Sequence, residues 1–155
     1  MDFKIQPISL EDISYVSDIM QKRWNVSEEW ADEEAKRFLE NDKYTAGFCV
    51  YVENTIAGVG LFDLHNEDVS KDYGPWLYLL WIDPEYRGHK LGIELTKKRM
   101  DHARKYGYTE VYLDTTDALE YHKKLGWEDV CIVDYEGEVD HIMKYDLLKS
   151  FPNNK

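Results

Sequence analysis

Residues 76 to 92 read Trp-Leu-Tyr-Leu-Leu-Trp-Ile-Asp-Pro-Glu-Tyr-Arg-Gly-His-Lys-Leu-Gly. The unbroken apolar run from Trp76 to Ile82 is what a central strand buried on both faces requires. Asp83-Pro84 ends it in a turn, and a short basic Gly loop then opens straight into a segment of helical periodicity. Any fold of this chain must therefore place a buried strand directly before a helix N-terminus. That junction gathers unpaired backbone N–H groups beside positive side chains, a seat for a phosphate.

The charge distribution agrees. The chain carries 19 basic and 31 acidic residues, a net −12. That balance argues against nucleic acid, whose partners show a basic footprint. Yet residues 87–105 hold Arg87, Lys90, Lys97, Lys98, Arg99, Arg104 and Lys105 against Glu94 and Asp101, which is +5 in a background of −17. One locally bound anion is implied, and the acidic remainder attracts a cationic second ligand. Taken singly, Lys97, Lys98, Arg104 and Lys105 also read as a solvated helix face. With 155 residues the chain reads as one domain, 1–149, ending in a frayed tail, 150–155. No apolar run approaches the roughly 18 residues of a membrane span. Met-Asp-Phe-Lys lacks a signal-peptide core, and Cys49 and Cys131 lie in apolar runs as small buried hydrophobes. A cytoplasmic protein is expected.

The remaining chain reads as follows. Residues 3–8 form a strand. Ser9 and Asp12 make a capping box before Ile13, Val16, Met20 and Trp24 at helical spacing. A second helix starts near Ser27. Strands 44–52 and 56–64 join at Glu53-Asn54, and 65–74 is a loop. The helix after the Gly loop ends near Gly107. A short strand at 111–113, a short helix at 117–125, and strands 127–134 and 138–148 about Gly137 complete the chain. The order β-α-α-β-β-β-α-β-α-β-β makes a mixed α/β domain.

That order, with Arg-Gly-His-Lys-Leu-Gly after the fourth strand and Tyr-His-Lys-Lys-Leu-Gly-Trp in the last helix, resembles the GNAT superfamily of acyl-CoA-dependent N-acyltransferases. The resemblance spans essentially the whole chain. It implies a GNAT-like single domain around a mostly antiparallel, splayed central sheet. It also implies acetyl-CoA as cosubstrate, an amine acceptor and no metal. The family's phosphate signature, Arg/Gln-x-x-Gly-x-Gly/Ala, falls on Arg87, Gly88, His89, Lys90, Leu91 and Gly92. Lys90 stands where the first signature glycine usually sits; with a negative φ its N–H could still serve and its side chain could add a charge. By the same resemblance, the backbone of Leu80, Trp81 and Ile82 pairs with the pantetheine amides as an added strand, and Lys124 reaches toward the cofactor phosphates.

Acyl transfer to an amine needs a base for the ammonium, donors for the oxyanion and a proton for the leaving thiolate. In the family attack is direct, so neither cysteine is needed. The family's final helix reads Leu/Phe-Tyr-x-Lys-x-Gly-Phe, with its Tyr as acid. Gly126-Trp127 aligns with Gly-Phe and puts His122 at that position, with Tyr121 one residue earlier. Ala118, Tyr121, His122 and Leu125 share a helix face, so either side chain could be the acid, and His122 equally reads as a core histidine. For the base, strand four offers only Tyr78; Asp63, with His65 on the same face, and Asp114 at the end of strand five are the carboxylate candidates. Each also reads as a strand-end turn former, and a water-mediated path is equally open. Trp24, Glu28, Glu29 and Trp30, between the first helices, suit a cationic acceptor. They fit equally an acidic amphipathic helix with a core tryptophan. A small amine such as a polyamine or amino sugar is expected. The alternatives are a protein or peptide amine acetyltransferase and a non-catalytic acyl-CoA-binding sensory module. The family often dimerises, and the aromatic strands around Tyr135 and Tyr145 could form an edge for a homodimer.

Overall fold

The computed structural model describes residues 1–152. Strand β1 (Phe3–Pro7) leads into helices α1 (Ile13–Trp24) and α2 (Glu28–Lys36), and then strands β2 (Thr45–Val52), β3 (Thr55–Asp63) and β4 (Trp76–Ile82) follow. Helix α3 (Leu91–Lys105), β5 (Glu110–Thr115), α4 (Leu119–Lys124), β6 (Glu128–Tyr135) and β7 (Glu138–Asp146) complete the order expected from the sequence. One sheet runs β1-β2-β3-β4-β5-β7-β6, antiparallel everywhere except between β4 and β5.

Local chemistry sets the element ends. Ser9 donates from both its N–H and its hydroxyl to the Asp12 carboxylate, and the Ser27 hydroxyl accepts the Trp30 N–H at 3.1 Å. These satisfy donors that a helix start would otherwise leave unpaired. Glu53 and Asn54 turn the β2–β3 hairpin with φ of 49° and 68°, the left-handed pair that matches strand twist.

Two apolar layers sandwich the sheet. On one face Leu91, Leu95, Met100 and Ala103 of α3 pack with Phe48, Val50 and Phe62. On the other, Val16, Met20, Ala31, Ala35 and the following Phe38 meet Cys49, Val59, Leu61 and Leu79. Each fully buried large side chain contributes about 1.5–3 kcal/mol, so α3 and the α1–α2 pair are held independently against opposite faces. A third cluster, Trp76, Tyr112 and Ile142, sits beneath the 65–75 loop with Val69 and Tyr73.

Four expectations are corrected. The strand Trp76–Ile82 is buried at its start but half-exposed at Tyr78 and from Leu80 onward, because its outer edge opens into a cleft. The fourth helix begins at Leu119, after Thr115 Oγ1 accepts the Ala118 N–H at 3.0 Å. The tail is not frayed through its described part: Phe151 is buried edge-on to Tyr145, 5.2 Å between ring centres. Residues 153–155 lie outside the described residues. Finally, β7 lies inside the sheet and Tyr145 is fully buried in the core, so β6 alone forms that edge.

Candidate active site

Strands β4 and β5 share a single paired position, Trp76 with Tyr112, and diverge beyond it. The cause is a bulge. Leu61 faces Leu79 and Phe62 faces Leu77, so β4 carries one extra residue, Tyr78, against β3. A bulge bends its strand and raises local twist, which turns the end of β4 away from β5. Tyr78 and Leu79 consequently point to the same layer, with Leu77 and Leu80 on the other.

Arg99 of α3 holds this bend. Its guanidinium donates to the Leu61 and Leu79 carbonyls at 3.1 and 3.3 Å and to Thr96 Oγ1 at 3.2 Å. It is 2% exposed with no carboxylate partner among the described residues, and burial pulls its pKa down to about 9. Gly60 makes room, since a Cβ there would come within 2.8 Å of the Arg99 Nε. In the sequence Arg99 is one of seven local cations, and the lack of a nearby acidic partner at a core-facing position is the one signal that sets it apart.

The resulting cleft is about 230 Å³. Leu77, Tyr78 and Leu80 form one wall and Leu113, Asp114 and Thr115 the other. Gly92, Ile93, Thr96 and Arg99 line it from α3 and Tyr121 and His122 from α4, with Leu125 just after that helix and Trp127 and Phe151 also facing it. The carbonyls of Leu80 and Ile82 meet side chains, Arg23 at 3.5 Å and Arg87 at 2.8 Å. Arg87 also lies over the Trp81 ring at 4.8 Å.

The Gly loop meets the start of α3 as expected, with one correction. Lys90 has φ 63° and ψ 19°, the left-handed geometry of the glycine it replaces, rather than a negative φ. Gly88 is also left-handed, at φ 87°. No side chain caps α3, and the Glu94 N–H is the one that reaches back to the Lys90 carbonyl, at 3.1 Å. The N–H groups of Leu91, Gly92 and Ile93 thus have no partner within the helix. A 15-residue helix with an uncapped N-terminus, beside Arg87, His89 and Lys90, fits a pyrophosphate. Lys124 is exposed on α4 and does not line the cleft.

Tyr121 and His122 both reach the cleft, 5.3 Å apart by ring centres. Tyr121 is 56% exposed. His122 packs edge-on to Trp127, and burial lowers its pKa against the opposing pull of Asp117. Burial thus favours the neutral imidazole. Asp63 lies elsewhere: it is buried, does not line the cleft, and receives Arg37 at 2.7 Å, while the His65 N–H closes a turn on it at 3.0 Å. The pair ties the end of α2 to the sheet. Tyr78 donates to Glu34 at 3.0 Å, and burial with the adjacent carboxylate raises its pKa, so its phenol stays protonated and is no base. Asp114 does face the cleft, accepting Asn66 Nδ2 at 3.3 Å.

Of the residues expected at the acceptor side, Trp24 stands 5.4 Å from Tyr78 and 6.2 Å from Trp30, an aromatic series from the surface to the cleft wall. Trp30 is 46% exposed, and Glu28 and Glu29 are exposed in the first turn of α2. Among the described residues no cluster of side chains could hold a metal, and no helix is long and apolar enough to cross a membrane.

Residues 13–127 match the model of the acetyltransferase (GNAT) family. No curated protein matches the chain. Among solved structures, the PaiA N-acetyltransferase from Thermoplasma acidophilum, in complex with coenzyme A, is 19% identical over 94% of this chain and 99% of that one, with a TM-score of 0.67. The aminoglycoside 6'-N-acetyltransferase from Enterococcus faecium is 14% identical over 95% and 98%, TM-score 0.74. Ard1 from Thermoplasma volcanium is 15% identical over 96% and 100%, TM-score 0.74. At these identities the likeness is one of fold.

Proposed function

Since the chain belongs to the GNAT acetyltransferase family, we propose that it moves the acetyl group of acetyl-CoA directly to a primary amine of a small cationic acceptor. The observation that carries this reading is the β4–β5 cleft. It links an uncapped, positively flanked helix start to Tyr121 and His122, and its other mouth is aromatic and acidic.

The N–H groups opening α3 and the loop cations would take the pyrophosphate. Beyond Trp76, β4 has no strand partner on its β5 side among the described residues; the Leu80 and Ile82 carbonyls there are held by the Arg23 and Arg87 side chains, which pantetheine amides would displace on pairing as an added strand. The thioester would then lie between β4 and α4. There the phenolic O–H of Tyr121 is the donor we assign to the departing sulfur, because burial disfavours the imidazolium form in which His122 would be a good acid. His122 instead suits the role of a proton acceptor or orienting partner. The acceptor would enter along Trp24, Trp30 and Tyr78, where ring faces and carboxylates attract an ammonium.

Coenzyme A release measured over cationic and neutral amines tests the reading. Cationic acceptors should be preferred; preference for neutral or anionic ones overturns it. Tyr121→Phe should lower kcat by on the order of 10²-fold with acetyl-CoA affinity intact. If His122→Phe does that instead, and the rate falls as pH rises through the lowered imidazole pKa, His122 is the acid.

A further inference from the structure

Asp140 is fully buried, and neither of its carboxylate oxygens has a hydrogen-bond donor among the described residues. A buried carboxylate with no donor is costly, and the group avoids the cost by keeping its proton. The register shows what it faces. Asp114 of β5 pairs with Ile142 of β7, so Asp140, two residues earlier, projects from the same sheet face as the diagonal neighbour of Asp114. Ionising Asp140 there would set a second negative charge beside Asp114, whereas a protonated Asp140 can donate to Asp114.

The surroundings deepen the effect. Burial and Asp114 raise the Asp140 pKa, with Glu138 adding to it. Tyr135 of β6 and Asp68 of the covering loop belong to the same electrostatic neighbourhood, and Tyr135 is itself raised, first by burial and then by Glu136, Asp68, Asp114 and Asp140. No basic side chain forms an ion pair with Asp114 or Asp140 among the described residues. The opening this pair serves is the cleft, which Asp114 lines opposite Tyr78.

We infer that Asp114 and Asp140 form the ammonium subsite for the acceptor, with a proton held on Asp140 that leaves to solvent when the cation docks on Asp114. This rests on the acetyltransferase reading for the identity of its ligand, but not for its test. Asp114 touches the acceptor. Asp140 is a positioning residue, supplying a second negative charge only when a cation is present to offset it. Neutral ligands gain nothing from this device, so it selects for charge at the acceptor mouth.

The test is binding without turnover. Protein saturated with coenzyme A is titrated calorimetrically with spermidine and with kanamycin A at pH 7, in two buffers of different ionisation enthalpy. Binding of at least one probe should release about one proton per site. Asp140→Asn keeps a donor toward Asp114 while fixing the neutral form; it should abolish the release and weaken binding about tenfold, with coenzyme A affinity unchanged. Asp114→Asn should weaken binding similarly, and carries the test if the first variant fails to fold. Wild-type affinity and proton release in either folded variant overturn the subsite, as does failure of both probes to bind the wild-type complex. If a probe binds with proton release yet no amine is acetylated, the subsite stands and the acetyltransferase reading of this protein falls.

Discussion

Single residues here carry departures that composition could not reveal. Lys90 is legible in the sequence as an oddity in a glycine motif, but not its conformation: the loop keeps the left-handed backbone and forces a lysine into it. A non-glycine residue in that region costs about 1–2 kcal/mol. Lys90→Gly should therefore raise stability by up to about 1 kcal/mol after the greater freedom of glycine in the unfolded chain is counted, whereas Lys90→Ala should not. Urea denaturation of the two variants checks this; equal stabilities would mean that the loop relaxes. Asp140 was invisible for a different reason, since burial without a partner depends on which strand lies opposite. Its raised pKa gives a signed prediction. The unfolded carboxyl ionises near the ordinary value of about 4 while the folded one still holds its proton, so stability falls as pH rises through that interval. Asp140→Asn removes the fall. Thermal melts at pH 5 and pH 8 should show the variant gaining on the wild type at the higher pH, and a constant difference would contradict the shift.

At the scale of elements, strand and helix positions followed from periodicity, because β4 and α3 are patterned along their own length. The bend in β4 did not, since a bulge is a property of two strands in register. The same limit hid the shift of Asp63 from candidate base to partner of Arg37, and the packing of Phe151 onto Tyr145. Arg99 joins these levels by bracing the bulge from α3. If it holds the bend, Arg99→Met leaves the Leu61 and Leu79 carbonyls without their donor and should cost about 1–3 kcal/mol in urea unfolding. The opposing effect is relief of an unpaired buried cation, which in some cores makes such a replacement stabilising. A gain in stability would show that desolvation outweighs the two carbonyl bonds. In either case acetyl-CoA affinity should fall on the proposed reading, in which pantetheine pairs with the outer edge of β4 that this bend turns away from β5.

For the molecule as a whole, charge is the part of function most open in the sequence, because it needs no knowledge of contacts. Seven cations and two acids in residues 87–105 sit in a chain of net −12. The fold turns that imbalance into geometry. The uncapped start of α3 lies at one end of the cleft; Asp114 and Asp117 line it together with Arg23, and Glu34 stands behind its wall, bonded to Tyr78. On the proposed reading, anionic cosubstrate and cationic acceptor are drawn to different openings of one cavity. Fields of this kind act over the Debye length, about 10 Å at 0.1 M salt and about 3 Å at 1 M. With acetyl-CoA saturating, kcat/KM for a polycationic amine should fall steeply between those ionic strengths, while kcat/KM for an uncharged acceptor should stay nearly flat. Parallel salt dependence for the two acceptors would mean that the acidic background steers nothing. A steep slope confined to the charged acceptor, and reduced in Asp114→Asn, would place the attraction at the cleft mouth rather than in the net charge.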